Sequence, residues 1–257
     1  MSLKGRTALV TGSTSGIGLG IARALADQGA RLVFNGLASA EQEAEVRQDL
    51  ELRSGQPALF WRADLSKGAQ VLPLLKELGP VDILVNNAGI QHTAPVEEFP
   101  PERWETVLAI NLSAAFYAIH GLLPGMNERG WGRIINLASA HGLVASIHKA
   151  AYVAAKHGLV GLTKVVALEQ AGKGVTCNAV CPGWVLTPLV QQQIDARAAR
   201  EGISVAQAQS DLLLEKQPSG QFTSVEQLGQ WAVFLCSSAC DNVTGTSLPV
   251  DGGWTAR

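Results

Sequence analysis

The chain is poor in the residues that announce metal, redox or polyanion chemistry. Its four cysteines fall into two C-x-x-x-C pairs, Cys177/Cys181 and Cys236/Cys240. The first pair sits in an apolar strand pattern and the second closes a helix pattern, so neither offers four convergent zinc ligands. Buried reduced thiols are expected instead. The five histidines (His92, His120, His141, His148 and His157) lack H-E-x-x-H or related ligand spacing, and no metal is expected. Positive charge is not in excess: 20 basic against 22 acidic residues leave a net charge of -2, too little field to hold a nucleic acid. Aromatics make up only 5% and charged residues 16%, while 47% hydrophobic residues and 27 glycines fit a globular α/β composition and exclude disorder. No period repeats and no stretch reads as a linker. No signal-like leader follows Met1, and no uncharged apolar segment of membrane-spanning length is expected. These absences predict a soluble cytoplasmic protein with no membrane partner.

What is present is alternation. Strand patterns at Thr7–Val10, Arg31–Phe34, Ala58–Trp61, Asp82–Val85, Arg133–Leu137, Val175–Val180 and Ser247–Val250 are nearly all apolar. Helical patterns at Gly16–Gln28, Glu41–Leu52, Ala69–Leu78, Arg103–Leu123, Tyr152–Gln170 and Ser224–Leu235 fall between them. Apolar strands separated by amphipathic helices predict one doubly wound, seven-stranded parallel sheet with helices on both faces. Residues 1–257 are read as a single domain. The polar, Gln/Ala-rich stretch from Thr187 to Phe222 is too long for an ordinary connection, and a helical lid over a site is expected there.

The first strand runs into Thr11-Gly12-Ser13-Thr14-Ser15-Gly16-Ile17-Gly18, a glycine-rich turn that opens a helix. Phosphate needs such a turn, because side chains would block its approach to backbone N–H groups at the positive helix end. The spacing G-x-x-x-G-x-G differs from G-x-G-x-x-G, so the strand before and helix after carry the expectation of a dinucleotide. An Asp or Glu ending the second strand would hold a ribose 2'-hydroxyl, and an Arg would hold a 2'-phosphate. Gly36 and Leu37 stand there instead, and the lack of a basic residue at Ser15, Asn35, Gly36 or Leu37 argues against NADP more firmly than it argues for NAD. Asp64 and Leu65, just after the third strand, would suit an adenine ring; a solvated loop carboxylate is the other reading of the same spacing.

Tyr152-Val-Ala-Ala-Lys156 puts a phenol and an ammonium on one helical face, where the cation favours the ionised phenol. Ser139 stands just beyond the strand Arg133–Leu137, at the edge where α/β sites gather, and can donate to a developing oxyanion. With T-G-x-x-x-G-x-G at 11–18, Asn86-Asn87-Ala88-Gly89, Asn111, Pro182-Gly183 and Val250-Asp-Gly-Gly253, the whole chain resembles the short-chain dehydrogenase/reductase family. That resemblance implies a Rossmann-type fold and a nicotinamide dinucleotide as cofactor. It makes Tyr152 the general acid/base, Ser139 the group that polarises the reacting oxygen, and Lys156 a ribose ligand and tyrosine activator. Asn111 would anchor a proton-relay water. The cofactor would lie on Gly12, Thr14, Ser15, Gly16, Ile17, Gly18, Leu37, Asp64, Leu65, Asn87, Ala88 and Gly89, with Pro182, Gly183, Val185 and Thr187 at the nicotinamide end. The family also implies a homotetramer.

Charge points to the substrate. His141 lies two residues past Ser139 and Lys149 three before Tyr152, so both potentially cationic groups can face one pocket. A buried ammonium is costly without an anionic partner, which a small anionic substrate would supply; solvated positions are the alternative. The segments Gly89–His92, Ser139–Gly142, Cys181–Trp184, Thr187–Val190 and Glu215–Pro218 resemble the family members that interconvert (R)-3-hydroxybutyrate and acetoacetate with NAD. Their resemblance assigns Gln91, His141, Lys149 and Gln193 to the substrate carboxylate and Trp184 to the short carbon chain. Read without it, Gln91 is a loop amide, Gln193 part of a polar surface run, and Trp184 a core anchor. A reductase of another short keto acid or acyl thioester is the neighbouring function, and a non-catalytic dinucleotide sensor the distant one.

Overall fold

The computed structural model describes residues 2–256. Seven short strands, β1 (Thr7–Val10), β2 (Arg31–Phe34), β3 (Leu59–Phe60), β4 (Ile83–Asn86), β5 (Gly132–Leu137), β6 (Val175–Pro182) and β7 (Ser247–Val250), form one sheet in the order β3-β2-β1-β4-β5-β6-β7. Every pairing is parallel. Strand side chains alternate between faces, and the burial follows: Ala8 and Val10 of β1 join the core on one side, and Leu9 joins the core on the other.

Helices α1 (Gly16–Asp27), α2 (Ala40–Ser54) and α9 (Val225–Leu235) cover the first face through residues such as Ile21, Leu25, Leu50 and Leu228. Helices α3 (Val71–Lys76), α5 (Ala114–Glu128) and α6 (Ala150–Gln170) cover the second through Leu75, Ala118, Ile119 and Val166. Local chemistry sets their ends. Ser39 accepts from the Gln42 N–H at 3.2 Å at the start of α2, and Gly55 ends that helix in the left-handed region at φ 64°. Ser224 and Gln227 form a reciprocal capping box at the start of α9.

Four expectations are corrected. The third strand shrinks to Leu59–Phe60, and the helix expected at Ala69–Leu78 is observed as the end of a 3-10 segment, Leu65–Gln70, running into α3; Gly68, at φ 55°, ψ -128°, kinks the 3-10 segment just before it. Helix α4 (Pro101–Leu108) continues through a π-helical segment, Ala109–Ser113, into α5, so this helical run spans residues 101–128. That run and α6 are long and apolar enough in composition to cross a membrane, contrary to the sequence expectation. Both pack within the α/β fold, the first run through Ala114, Ala118, Ile119 and Leu122 and α6 through Leu159 and Val166, while Phe116, Val165 and Leu168 stay exposed.

The stretch 187–222 contains α7 (Pro188–Glu201) and α8 (Val205–Leu214). Val190, Ile194, Ala198 and Ala208 make a small core of their own there, against which Trp184 and Phe222 pack.

Candidate active site

The loops leaving the C-terminal ends of β1 to β6 enclose one cavity of about 500 Å³, running from the turn before α1 to Trp254. At its first end the Thr11 hydroxyl accepts from the Asn87 and Ala88 N–H groups, both at 3.0 Å, and the Asn87 amide donates to the Thr11 and Gly12 carbonyls at 2.9 Å. Asn87 therefore stitches β4 to the glycine-rich turn. A Cβ at Gly18 would lie 2.2 Å from the Gly12 carbonyl oxygen, so only glycine lets α1 start this close to the strand. Ser15 precedes α1 without capping it through its side chain, and no acidic residue occupies the first turn. The first N–H groups of α1 therefore face an uncapped, cationic helix end, a cradle that suits a pyrophosphate.

Asn35, at the end of β2, donates to the Trp61 and Ala63 carbonyls at 2.9 and 3.0 Å and fixes the neighbouring rim. Leu37 beyond it is 95% exposed. The Asp64 carboxylate accepts from the Ser66 N–H and hydroxyl at 3.0 and 2.7 Å, which holds its pKa below the usual carboxylate value.

At the other end Ser139 leaves β5 and its hydroxyl accepts from the His141 N–H at 3.1 Å, capping a short 3-10 turn. Tyr152 and Lys156 stand one turn apart on α6, with the ammonium 5.6 Å from the phenol ring centroid. The Lys156 ammonium donates to the Leu137 carbonyl at 2.6 Å, and burial pulls its pKa down to about 8. Burial raises the Tyr152 pKa, and hydrogen bonding to Ser139 and Gln91 opposes that rise. The His141 ring meets the Tyr152 ring edge-on at 5.9 Å and the Trp254 ring at 5.1 Å. Burial first, then the charges of Lys149, Lys216 and His157, pushes His141 down to about 4. His141 is therefore a neutral imidazole near pH 7, which corrects its reading as a potential cation. Lys149 adds an ammonium to that of Lys156 at this end; the Lys149 ammonium lies 5.6 Å from the Trp184 ring centroid and donates to Gln91 at 3.3 Å.

A family model described as short chain dehydrogenase matches residues 6–198. The chain belongs to the short-chain dehydrogenase family. It is 58% identical over 261 residues to a D-beta-hydroxybutyrate dehydrogenase of Cupriavidus necator, covering 99% of this chain and 100% of that protein. A D-beta-hydroxybutyrate dehydrogenase of Rhizobium meliloti is 48% identical over 256 residues, covering 98% of this chain and 99% of that one. The L-sorbose reductase from Gluconobacter frateurii, solved with NADPH and L-sorbose, matches at a TM-score of 0.94 and 29% identity, covering 100% and 99% of the two chains. As a short-chain dehydrogenase the chain is an oxidoreductase that binds a nicotinamide dinucleotide.

In this short-chain dehydrogenase the cavity is lined by every residue expected at the cofactor except Gly16, whose φ of 54° shapes the turn from outside the lining. Gln91, Ser139, His141, Lys149, Tyr152 and Trp184 gather at its other end. Gln193 does not join them: it lies exposed on α7, away from the lining. Asn111 lies in the π-helical segment beside a smaller void, donating to the Ile90 and Val107 carbonyls at 2.9 Å. Its side-chain oxygen is buried with no hydrogen-bond partner among the described residues. Sequence reasoning missed Trp254, which stacks on Trp184 at 6.0 Å and closes the end of the cavity. Its only signal was an aromatic directly after Val250-Asp-Gly-Gly253. All four cysteines are free and buried.

Proposed function

We propose that this chain is an NAD-dependent dehydrogenase interconverting (R)-3-hydroxybutyrate and acetoacetate. The observation that carries the reading is the convergence of Ser139, Tyr152 and Lys149 at one end of a dinucleotide-sized cavity. The identity to two D-beta-hydroxybutyrate dehydrogenases supports it.

A nicotinamide dinucleotide bound along the sheet edge supplies the hydride acceptor or donor. Lys149 takes the substrate carboxylate as a charge-assisted partner, with Gln91 and His141 beside it. Trp184 and Trp254 exclude water from the short carbon chain. The reacting oxygen sits between the Ser139 hydroxyl, which donates to it, and the Tyr152 phenol, which takes its proton in oxidation and returns it in reduction. Lys156 favours negative charge on the phenol, and Asn111 holds the water through which the proton leaves. NAD rather than NADP is favoured by Gly36 and Leu37, which offer a 2'-phosphate no cation. We read residues 1–257 as one catalytic domain with a lid at about 187–222, acting as a cytoplasmic homotetramer. The test is a panel of short hydroxy acids of both hands with NAD and NADP, followed by absorbance of the reduced cofactor. Turnover concentrated on (R)-3-hydroxybutyrate with NAD is expected; preference for a neutral alcohol or a thioester overturns the reading.

A further inference from the structure

We infer that Gln217 is a positioning residue for the substrate end of the cavity, its buried amide holding the main chain of Trp184 and tying the α7–α8 segment to that aromatic wall. The inference rests on the substrate reading above, in which Trp184 borders the carbon chain.

Gln217 follows α8 and is only 1% exposed. Its side-chain oxygen accepts from the Trp184 N–H at 2.8 Å, and its side-chain nitrogen donates to the Gln221 carbonyl. Its own N–H bonds back to the Leu213 carbonyl at 2.7 Å, which anchors it to the last turn of α8. The Trp184 carbonyl in turn accepts from the Thr223 N–H at 3.0 Å. Residues 217–223 thus hold both main-chain polar groups of Trp184. The fit is close: a Cβ at Gly183 would lie 2.4 Å from the Gln217 side-chain oxygen, so β6 meets the amide without a side chain in between.

The wall fixed in this way faces the charged end of the site, because the Trp184 ring stacks on Trp254 at 6.0 Å and sits 5.6 Å from the Lys149 ammonium. Glutamine is the side chain that accepts from one main-chain group and donates to another at this reach while remaining neutral. Methionine has similar length but leaves the Trp184 N–H unpaired and the Gln221 carbonyl with only the long 3.5 Å contact from the Ser219 hydroxyl. Glutamate keeps the acceptor for Trp184 and loses the donor to Gln221.

The experiment compares wild type with Gln217→Met and Gln217→Glu in the full-length protein. Expected is a KM for 3-hydroxybutyrate raised about tenfold or more by methionine and about threefold by glutamate, with KM for NAD within about twofold of wild type. An unchanged KM for the hydroxy acid in both variants, or an equal rise for NAD, overturns the inference. If methionine prevents folding, the expected threefold rise in the glutamate variant decides alone. A second readout uses no substrate: the Trp184 share of fluorescence, taken as the difference between each protein and its Trp184→Phe counterpart, is quenched with acrylamide. Quenching at least about twice as efficient in Gln217→Met or Gln217→Glu supports the inference, and quenching equal to wild type overturns it. Failure of the wild type to oxidise 3-hydroxybutyrate instead rejects the substrate reading, and the quenching result then stands by itself.

Discussion

The Lys149 ammonium donates to the side-chain oxygen of Gln91 at 3.3 Å, which leaves the nitrogen of the same amide to serve the Tyr152 phenol. One loop residue thus joins the anion-binding end of the site to the proton-transfer end. A carboxylate arriving beside Lys149 meets an ammonium whose charge is already disfavoured by burial and by Lys216, and its negative charge relieves both costs.

Removing that ammonium by Lys149→Ala is expected to lower kcat/KM for 3-hydroxybutyrate by at least about tenfold, since a charge-assisted hydrogen bond is worth roughly 1.5 to 3 kcal/mol. The methyl ester, which carries no charge, should lose little. Kinetics on acid and ester with both proteins check this; equal behaviour of the two substrates places the carboxylate elsewhere.

Tyr152→Phe deletes the proton acceptor and leaves the cavity intact. Turnover should fall by a factor on the order of a hundred or more, while NAD affinity measured by calorimetry stays within about threefold. Retained turnover would remove Tyr152 from the reaction.

His141 makes stability depend on acid. Its native pKa of about 4 lies below the ordinary 6.5, so between those values the unfolded chain binds the extra proton and the native protein does not. Stability therefore falls as pH drops through this window, by about 2 to 3 kcal/mol between pH 7 and 4.5 from this residue. Urea unfolding at the two pH values should show a smaller acid loss in His141→Gln than in wild type. Identical losses contradict a buried neutral imidazole.

Thr14 crowds the place where an acidic ribose ligand would stand. A Cβ at Gly36 would lie 2.5 Å from the Thr14 hydroxyl oxygen, so an acidic residue cannot be placed there without moving the turn, whereas Leu37 is open to solvent. NAD should be preferred to NADP by at least about tenfold, and Leu37→Arg should raise kcat/KM with NADP by about tenfold or more through a charge-assisted contact. Wild-type kinetics favouring NADP would contradict this account.

Much of this was legible in the sequence because it is local. Apolar runs of four to eight residues fix the strands, and the four-residue interval between Tyr152 and Lys156 places both on one face of α6. What escaped is tertiary. The neutrality of His141 comes from burial by Trp254 and from charges distant in the chain. Gln217 reaches Trp184 across 33 positions, so no spacing signals the pair. The run 101–128 is different: its freedom from charged residues between Thr106 and Asn127 stands in the sequence, but that it packs on the sheet through Ala114, Ala118, Ile119 and Leu122 is a role hydropathy does not distinguish from lipid.

The π-helical segment between α4 and α5 also has a consequence for angular phase. The Ala114 N–H bonds to the Ala109 carbonyl five positions back, so this turn holds more residues than its α-helical neighbours. Each residue of an α-helix rotates the chain by about 100°. The segment therefore absorbs an extra residue that would otherwise swing α4 by that angle against α5. Losing one residue there would close the wide turn to α-helical spacing with both halves and the composition almost unchanged, yet it would displace Asn111, whose amide donates to the Ile90 carbonyl, from its place in the turn.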